Sequence, residues 1–547
     1  MKRWLKSDWT LLLFFWCITV AIYTITKDAK FTFDWNTWIL HYSETPFHYA
    51  FTKDNLFGIH PIYHVVFRTL WLVWGFNTWG WMLSFTFIHA LNGFLIFKLF
   101  NKLCDLFGVN LKHLIFRYLP SLLFIVYPLQ TEVLVWGACI NYLICTLFIL
   151  SISIGFLKLI ENQKINISLS IGLIILHLLS VYTWEIGILL PIGLFCILIS
   201  YAFHTAISYK KILKYVWAVI LPMCLVSISF FVVTKITKGN WAGHYGEASH
   251  FNVDLLHLIG NFYKYLLKIT LISPTINVAY RDKIYMILEH WAIIPISVTM
   301  LIAILVLFFK DKKYIQNRPF VFSTMALFVL SLAPVISIHF DYLPKIAQDR
   351  YVYLPLVFFS MLLTWLLTKI KWKWLQIPVV FCFGSIMLYN LVININSWRK
   401  VGAMHSRIIY DYEFDTVEGK IYTLNTPDNI SGAAFMRSNK VSTLAENVEL
   451  HRGIDIWDRT DEILQVNVAH QHDDFLTKWI GDDILEIESA GGTWFWYDGF
   501  GASDRSTEFY DIEIISPGNI ARITFKQLQD NDVIIYQKAG YWYEVEF

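Results

Sequence analysis

Long apolar runs separated by short polar connections fill the first 395 residues of the chain. Eleven runs approach the roughly 20 apolar residues that a helix needs to cross a bilayer. They are residues 9–26, 79–100, 115–130, 132–157, 167–183, 186–207, 215–234, 286–309, 319–339, 351–368 and 375–395. Residues 1–395 therefore predict a polytopic α-helical membrane domain with about 11 transmembrane helices.

The pattern changes after residue 395, where polar residues become frequent and short segments alternate with period two. Such alternation between turn signals is typical of half-buried β-strands. The segments are 511–516, 521–527, 532–537 and 541–547. Residues 396–547 therefore predict a compact, β-rich soluble domain.

The charge of the chain divides at the same place. Residues 1–395 carry 31 basic and 16 acidic side chains, whereas residues 396–547 carry 13 basic and 26 acidic ones. The basic residues of the first part concentrate in short loops, as they do on the cytoplasmic side of membrane proteins. These loops are 101–114, 158–166, 208–214, 310–318 and 369–374. We therefore expect a cytoplasmic N-terminus and an extracytoplasmic C-terminal domain.

Three larger loops then face outward, at residues 27–78, 235–285 and 340–350. Within them, residues 61–74 and 251–273 have apolar positions at helical spacing, which predicts helices lying in the membrane interface. The alternative is that each of these two segments forms one further span, which leaves the side of the C-terminal domain unchanged.

Composition excludes several classes of protein. With 56% hydrophobic and 16% charged residues, the chain is not a purely soluble enzyme, and the charge distribution gives no reason to expect a nucleic-acid partner. All seven cysteines precede residue 395 without a CxxC motif, so we expect neither a disulfide nor a zinc site. Neither a P-loop nor a dinucleotide-binding glycine motif is present, and we predict no cofactor and no metal.

Acidic residues within apolar runs are the strongest chemical signal, because an ionisable group is costly inside a membrane. Glu132 and Glu185 lie in such runs, and the predicted topology places both on the outward side, together with Asp34 and Asp349. One interpretation is an outward-facing site. The alternative is that these acids cap helices or form structural ion pairs.

Four sequence segments carry a resemblance to a known family. They are SFTFIHALNGFLIFKLF (84–100), YPLQTEVLVWGACINYLICTLF (127–148), VYTWEIGILLPIGL (181–194) and QDRYVYLPLVFFSMLL (348–363). In this order, they resemble the membrane half of the tetratricopeptide-tailed O-mannosyltransferases and their bacterial relatives in glycosyltransferase superfamily C (GT-C). The resemblance covers roughly residues 9–370. The tail after residue 395 does not resemble tetratricopeptide helices.

The resemblance implies a transferase that moves a sugar from a polyprenyl-phosphate donor to a protein or glycan acceptor. It places the acidic residue of the first outward loop on Asp34, and the acidic-Arg-Tyr-x-Tyr-Leu-Pro string on residues 349–355. The sequence departs from the family at three positions. Trp35 replaces the second acid, Tyr127 stands where His-Pro is usual, and Trp184 stands where Lys-Glu is usual.

Reaction chemistry suggests roles for these residues without the family. An acceptor hydroxyl must lose its proton as it attacks, and a carboxylate at Asp34, partly desolvated beside aromatic residues, suits a general base. The leaving lipid phosphate needs a fixed cation, for which the bidentate guanidinium of Arg350 is suited.

The remaining candidate residues support these two roles. We predict Lys345 and Tyr353 as further donor-phosphate ligands, and Glu132, Glu185, Asp349, His60 and His64 as supporting or acceptor-side residues. For the histidines, which are one helical turn apart, the alternative is a structural role at the interface. For Lys345, the alternative is contact with lipid headgroups.

We therefore expect an inverting glycosyltransferase in a bacterial inner membrane, with a periplasmic C-terminal domain and partners that include the lipid bilayer. Two alternatives stay open. A transporter or flippase for lipid-linked saccharides would also have many spans, although no internal repeat is visible. A catalytically inactive scaffold, acting with partner membrane subunits of an envelope complex, would account for the lost second acid.

The predicted orientation can be tested by thiol labelling. In a variant without the seven native cysteines, we expect a cysteine at Ser503 to react with a membrane-impermeant reagent in intact spheroplasts. A cysteine at Asn317, in a predicted cytoplasmic connection, should react only after permeabilisation. The reverse labelling pattern would contradict the orientation and place the candidate residues in the wrong compartment.

Overall fold

The structure, a computed structural model, describes most of the chain. Described residues are 8–29, 31–32, 35–36, 39, 45–52, 59–111, 113–241, 254–272, 283–284, 286–288, 290–299, 317–338, 349–436, 443–468, 475–489, 493–496, 503–516 and 518–546. Asp34 and Lys345 lie outside these residues, as does much of the predicted run 286–309.

Helices dominate the chain up to residue 410. They are α1 (Asp8–Tyr23), α2 (Pro61–Trp74), α3 (Thr78–Leu106), α4 (Ile115–Ile125), α5 (Thr131–Val135), α6 (Ile140–Glu161), α7 (Ile167–Val181), α8 (Leu190–Thr205), α9 (Tyr209–Tyr215), α10 (Leu221–Lys238), α11 (Leu255–Leu267), α12 (Arg318–Leu332), α13 (Tyr353–Thr368) and α14 (Lys373–Tyr410). One further helix, α15 (Thr443–Arg452), lies in the C-terminal part.

Among the described residues, eight helical segments are long and apolar enough to cross a membrane, or nine if a bent pair counts as one span. The eight are Asp8–Ala29, Thr78–Leu106, Gly137–Glu161, Glu185–Thr205, Tyr209–Lys238, Arg318–Val335, Asp349–Thr368 and Trp374–Thr416. The predicted run 167–183 corresponds to the shorter apolar helix α7. These helices are those expected of a multi-pass membrane protein.

The chain between α4 and α6 is broken, which corrects the predicted span 132–157. Segments Ile115–Ile125 and Pro128–Val135 meet at 47°, and a 3-10 turn at Gly137–Cys139 precedes α6. Pro128 has no amide hydrogen to continue the helix. Glu132 therefore belongs to the short helix α5, and the long helix begins only at Ile140.

The two predicted amphipathic segments are helices. Helix α2 has the predicted bounds, Pro61–Trp74, and α11 spans Leu255–Leu267 within the predicted segment 251–273. The end of α2 packs closely on α3, where a Cβ at Gly80 would lie 2.2 Å from the Trp74 ring. The indole nitrogen of Trp74 also donates a hydrogen bond to Ser84 Oγ at 3.0 Å.

Helix α14 contains the predicted span 375–395 and is longer than it. It continues to Tyr410, and its 38 residues give a length of about 57 Å at 1.5 Å per residue, against a hydrocarbon core of about 30 Å. Its last turns bury Trp398, Val401, Met404 and Ile408. The helix therefore continues past the boundary drawn from composition into the C-terminal part.

The described residues of the C-terminal part form three sheets, which confirms a β-rich region. Its strands are β1 (Ile421–Thr423), β2 (Thr426–Ile430), β3 (Ala433–Ala434), β4 (Thr460–Glu462), β5 (Gln465–Val468), β6 (Phe475–Trp479), β7 (Ile484–Ser489), β8 (Trp494–Trp496), β9 (Arg505–Ser506), β10 (Tyr510–Ser516), β11 (Ile520–Phe525), β12 (Val533–Lys538) and β13 (Tyr541–Glu544). The four predicted strand segments correspond to β10 to β13.

The sheets differ in strand direction. Two have four strands, in the orders β13-β12-β1-β4 and β3-β2-β5-β8, and their central pairs are parallel. The third has the order β6-β7-β11-β10-β9 and is antiparallel throughout. Alternate residues of β11 are buried, as expected for strands with one face on a core.

The helical and β-rich parts are joined by direct contacts. Trp542 Nε1 donates to the Ile408 carbonyl at 3.0 Å, and Arg407 Nη1 donates to the Ala539 carbonyl at 3.0 Å. The amide of Asn36, in the first large loop, donates to the side-chain oxygen of Asn447 on α15. The end of α14 and the first loop are thus both anchored to the C-terminal part.

Gly137 provides a test of this packing, because a Cβ there would lie 2.0 Å from the fully buried Trp35 ring. We expect Gly137→Ala to lower the free energy of unfolding by about 1–3 kcal/mol, the usual cost of overpacking. Gly172→Ala is the control, since a Cβ at Gly172 meets nothing within 4 Å. Thermal unfolding in detergent measures both, and equal stability of the two variants would contradict the packing.

Candidate functional site

Arg350 and Glu132 form the centre of the candidate site. Arg350 lies in the 3-10 turn Asp349–Val352 that precedes α13. Its Nη1 donates to Glu132 Oε1 at 2.5 Å, and its backbone N–H donates to Glu132 Oε2 at 2.7 Å. Both carboxylate oxygens are therefore engaged by one residue that lies 218 positions away in the chain.

Aromatic rings hold the guanidinium in place. The Arg350 guanidinium carbon lies 5.0 Å from the Trp136 ring centre and 4.6 Å from that of Tyr351, within the range of cation-π contacts. Nη2 also donates to the Tyr351 hydroxyl at 3.2 Å. The Arg350 side chain keeps 19% of its surface exposed, whereas Glu132 keeps 4%. Both side chains of this ion pair are thus mostly withdrawn from solvent.

A second buried ion pair lies next to the first in sequence. Lys268 Nζ is 2.8 Å from Asp349 Oδ1, and the two side chains are 7% and 0% exposed. Lys268 directly follows α11, so this helix is tied to the start of α13. Isolated charges in such surroundings are strongly unfavourable, and pairing offsets their loss of water.

His60 and Glu185 form a third contact. Their Nε2 and Oε2 atoms are 3.3 Å apart, with the imidazole fully buried and the carboxylate side chain 25% exposed. The His60 ring centre lies 4.5 Å from that of Trp184. His64, one turn further, is buried with its ring 6.1 Å from Tyr49. The structure therefore brings Glu185 to His60, while His64 faces a different neighbour.

Tyr142 links these groups. Its ring centre lies 6.5 Å from that of Tyr351, beside Arg350, and 6.1 Å from that of Trp184, beside His60. Three acids predicted from the sequence, Glu132, Glu185 and Asp349, thus belong to one connected region. We call this region, comprising Glu132, Glu185, Asp349, Arg350, Lys268 and His60, the charged cluster.

Tyr353 lies elsewhere, in the interior between α3 and α13. Its hydroxyl is 2.7 Å from His89 Nδ1 and accepts a hydrogen bond from Asn92 Nδ2 at 3.2 Å. The side chain is fully buried. These contacts favour a structural role for Tyr353 in helix packing over the predicted role as a phosphate ligand.

The described neighbours of Asp34 approach the charged cluster. Trp35 is fully buried, stacks on Phe31 with ring centres 4.9 Å apart, and packs against Gly137. Gly137 directly follows Trp136, whose ring supports Arg350. Trp35, which directly follows Asp34, therefore packs against the segment that contains Trp136.

The sequence pattern did not identify Lys268, or the Trp136 and Tyr351 rings that contact Arg350, as part of the site. Lys264 and Lys268 are four residues apart and both buried, at 2% and 7% exposure. Two lysines at this spacing on one face of an amphipathic segment were the available signal. Their acidic partner lies too far along the chain for any local pattern to identify it. Within the described ranges, no group of three or more His, Cys, Asp or Glu residues could hold a metal ion.

The central ion pair gives a stability prediction. We expect Glu132→Gln to lower the free energy of unfolding by about 3 kcal/mol, because it leaves a largely buried guanidinium facing a neutral amide. The double variant Glu132→Gln/Arg350→Met should recover part of that loss. Asp8→Asn is the control, since the Asp8–Lys98 pair is exposed and such pairs contribute about 0–1 kcal/mol.

Thermal unfolding in detergent compares the four proteins. A Glu132→Gln variant as stable as the parent, or a double variant no more stable than Glu132→Gln, would show that the pair does not stabilise the fold.

Comparison with protein-family models gave no match, and none of the curated proteins matches the chain. The case for a function therefore rests on the contacts of this chain's own residues.

Proposed function

We propose that this chain is an integral membrane glycosyltransferase of the GT-C type. It takes a sugar from a polyprenyl-phosphate donor and passes it to a hydroxyl of a protein or glycan acceptor at the outward face of the membrane. The observation that carries the proposal is the charged cluster, which gathers three acids and two strong cations at helix ends of an apolar bundle.

The cost of such a cluster supports a functional role. Each of its charged side chains has lost most of its water, and a lipid-facing bundle could be built from apolar residues instead. The cluster also draws on distant segments, since Glu132, Lys268 and Arg350 come from α5, the end of α11 and the turn before α13. Such convergence is typical of sites that act on a ligand.

Arg350 is the group suited to the donor. A planar guanidinium binds two phosphate oxygens at once, and the Arg350 side chain keeps 19% of its surface exposed. As the bond between the anomeric carbon and the phosphate oxygen breaks, the phosphate departs with the electron pair and gains negative charge. A positioned cation stabilises that charge in the transition state.

Asp34 is the proposed general base. The acceptor hydroxyl attacks the anomeric carbon from the side opposite the phosphate, and its proton passes to the Asp34 carboxylate. One displacement of this kind inverts the configuration of the sugar. Trp35, the next residue in the chain, packs against Gly137, which directly follows the Trp136 whose ring contacts the Arg350 guanidinium.

The proposed setting is a bacterial inner membrane with the cluster and the C-terminal domain on the periplasmic side. The basic connections support this orientation. The lipid bilayer then supplies the donor from its outer leaflet, and the acceptor arrives from the periplasm.

A second candidate is an inactive scaffold that acts with other membrane subunits. The observation that favours it is that Arg350 donates two hydrogen bonds to Glu132, one from its side chain and one from its backbone. This geometry is typical of a structural ion pair. Trp35 in place of a second acid points the same way. The two functions differ in whether the chain transfers sugar at all.

Transfer from a short-chain polyprenyl-phosphate sugar to a hydroxyl acceptor is the test. We expect Asp34→Asn to reduce turnover by about 100- to 10,000-fold, the usual contribution of a general base, because it removes basicity while keeping the shape. Folding and donor binding should persist. Asp8→Asn, which removes an exposed carboxylate paired with Lys98, should leave turnover unchanged.

Near-normal turnover in Asp34→Asn would remove this residue from the reaction. No turnover in the parent chain, with any polyprenyl-phosphate sugar that it binds, would favour the scaffold.

A further inference from the structure

A cavity of about 370 Å³ lies at the junction of the helical and β-rich parts, apart from the charged cluster. Its described lining residues come from four places in the chain: the end of the first span, the start of α3, the end of α14, and α15. They are Asp28, Phe31, Phe76, Thr78, His405, Ser406, Tyr410, Leu450 and His451. The cavity therefore depends on docking of the C-terminal part onto the helices.

Aromatic rings form much of its wall. The ring centres of Phe31 and Phe76 lie 5.9 Å and 5.6 Å from that of His451, and the two phenyl rings are 5.6 Å apart. His405 approaches His451 from the other side, with ring centres 4.9 Å apart. Phe31 also stacks on Trp35, so the wall is fixed to the buried part of the first loop.

The imidazoles supply uncharged hydrogen-bonding groups. His405 Nε2 lies 2.9 Å from Asn447 Oδ1, an acceptor that also takes a hydrogen bond from Asn36. His405 therefore donates through Nε2, and its neutral ring keeps Nδ1 as an acceptor. His451 Nε2 is buried and has no hydrogen-bond partner among the described residues. Burial, and then the neighbouring His405, lower the pKa of His451 to about 3, so this ring is neutral at pH 7.

The described lining contains one carboxylate, Asp28, and neither Lys nor Arg. Asp28 is 57% exposed and pairs with Lys27 at 2.6 Å. Thr78, Ser406 and Tyr410 add hydroxyl groups to the described lining. The described part of the lining thus offers an anionic ligand no Lys or Arg side chain, in contrast to the phosphate chemistry proposed for Arg350.

We infer that this cavity binds a neutral saccharide unit. A sugar ring has an apolar face that packs on aromatic side chains. Its hydroxyls donate to a carboxylate, and they both donate to and accept from uncharged imidazoles and hydroxyls. The volume lies within the range of about 300–1,000 Å³ that small-molecule sites occupy. The inference concerns binding alone and goes beyond the proposed transfer reaction, since a non-catalytic chain would bind the sugar equally well.

Saturation-transfer NMR on the full-length chain in detergent tests the inference. The probes are methyl mannoside, methyl glucoside and methyl N-acetylglucosaminide, with glucuronate as the anionic comparison. We expect saturation transfer to at least one neutral probe. The response to glucuronate should be about tenfold weaker, which corresponds to a difference of ~1.4 kcal/mol in binding free energy.

Two variants locate the binding. Ser406→Phe fills the cavity, and His451→Phe keeps an aromatic ring against Phe31 and Phe76 while removing both nitrogens. Each should reduce the response of the neutral probe by about tenfold. Ser503→Phe is the control, since Ser503 is exposed and does not line the cavity, and it should leave the response unchanged.

Loss of the response in one variant with a normal unfolding temperature is enough to support the site. No response to any neutral probe, an unchanged response in both variants, or a stronger response to glucuronate would overturn the inference. Asp34→Asn should bind the neutral probe normally. A chain that binds the neutral probe but does not transfer sugar contradicts the proposed function alone. A chain that transfers sugar but does not bind the probe in this cavity contradicts the present inference alone.

Discussion

A charge withdrawn from water into a helix bundle must meet an opposite charge, and this requirement shapes the region around Arg350. Its guanidinium and backbone amide both bind Glu132, and the adjacent Asp349 binds Lys268. Each contact ties together segments that are far apart in the chain. The broken helix at Pro128–Val135, the end of α11 and the start of α13 are therefore fixed relative to one another by electrostatics as well as by packing.

The same pairing sets the conditions under which the cluster can act on a ligand. A phosphate that approaches Arg350 must share the guanidinium with Glu132 or displace it, and the aromatic rings of Trp136 and Tyr351 keep the cation in position during that exchange. A structural ion pair and a ligand site would thus use the same contacts. What separates them is whether the Arg350 guanidinium has affinity for a lipid phosphate.

Much of the architecture follows from local sequence pattern. Apolar runs identified most spans, and the alternation of residues 511–547 located β10 to β13. The bounds of α2 agree because a proline begins the helix and Gly75, with a positive φ of 49°, ends it. Glu132 was identified as a candidate because charges are rare in apolar runs, and Arg350 because a leaving phosphate needs a fixed cation.

The pairing of those charges was not predictable in the same way. Arg350 was expected to face a ligand, yet its partner Glu132 lies 218 residues away. Lys268 directly follows a helix for which the sequence predicted only a position in the membrane interface. Long-range pairing depends on how helices pack, which no local period encodes. The continuation of α14 to Tyr410 was missed for a related reason, since its last turns bury apolar residues against protein and not lipid.

Binding of a short-chain polyprenyl phosphate to Arg350→Lys tests the central claim most directly. Lysine keeps the positive charge toward Glu132 but lacks the bidentate fork, so a phosphate site predicts affinity about tenfold weaker at an unchanged unfolding temperature. Arg407→Lys, in the contact with Ala539, is the matched control and should bind like the parent. Unchanged affinity together with a lower unfolding temperature would show that Arg350 forms a structural ion pair, and would contradict a lipid-phosphate site in this cluster.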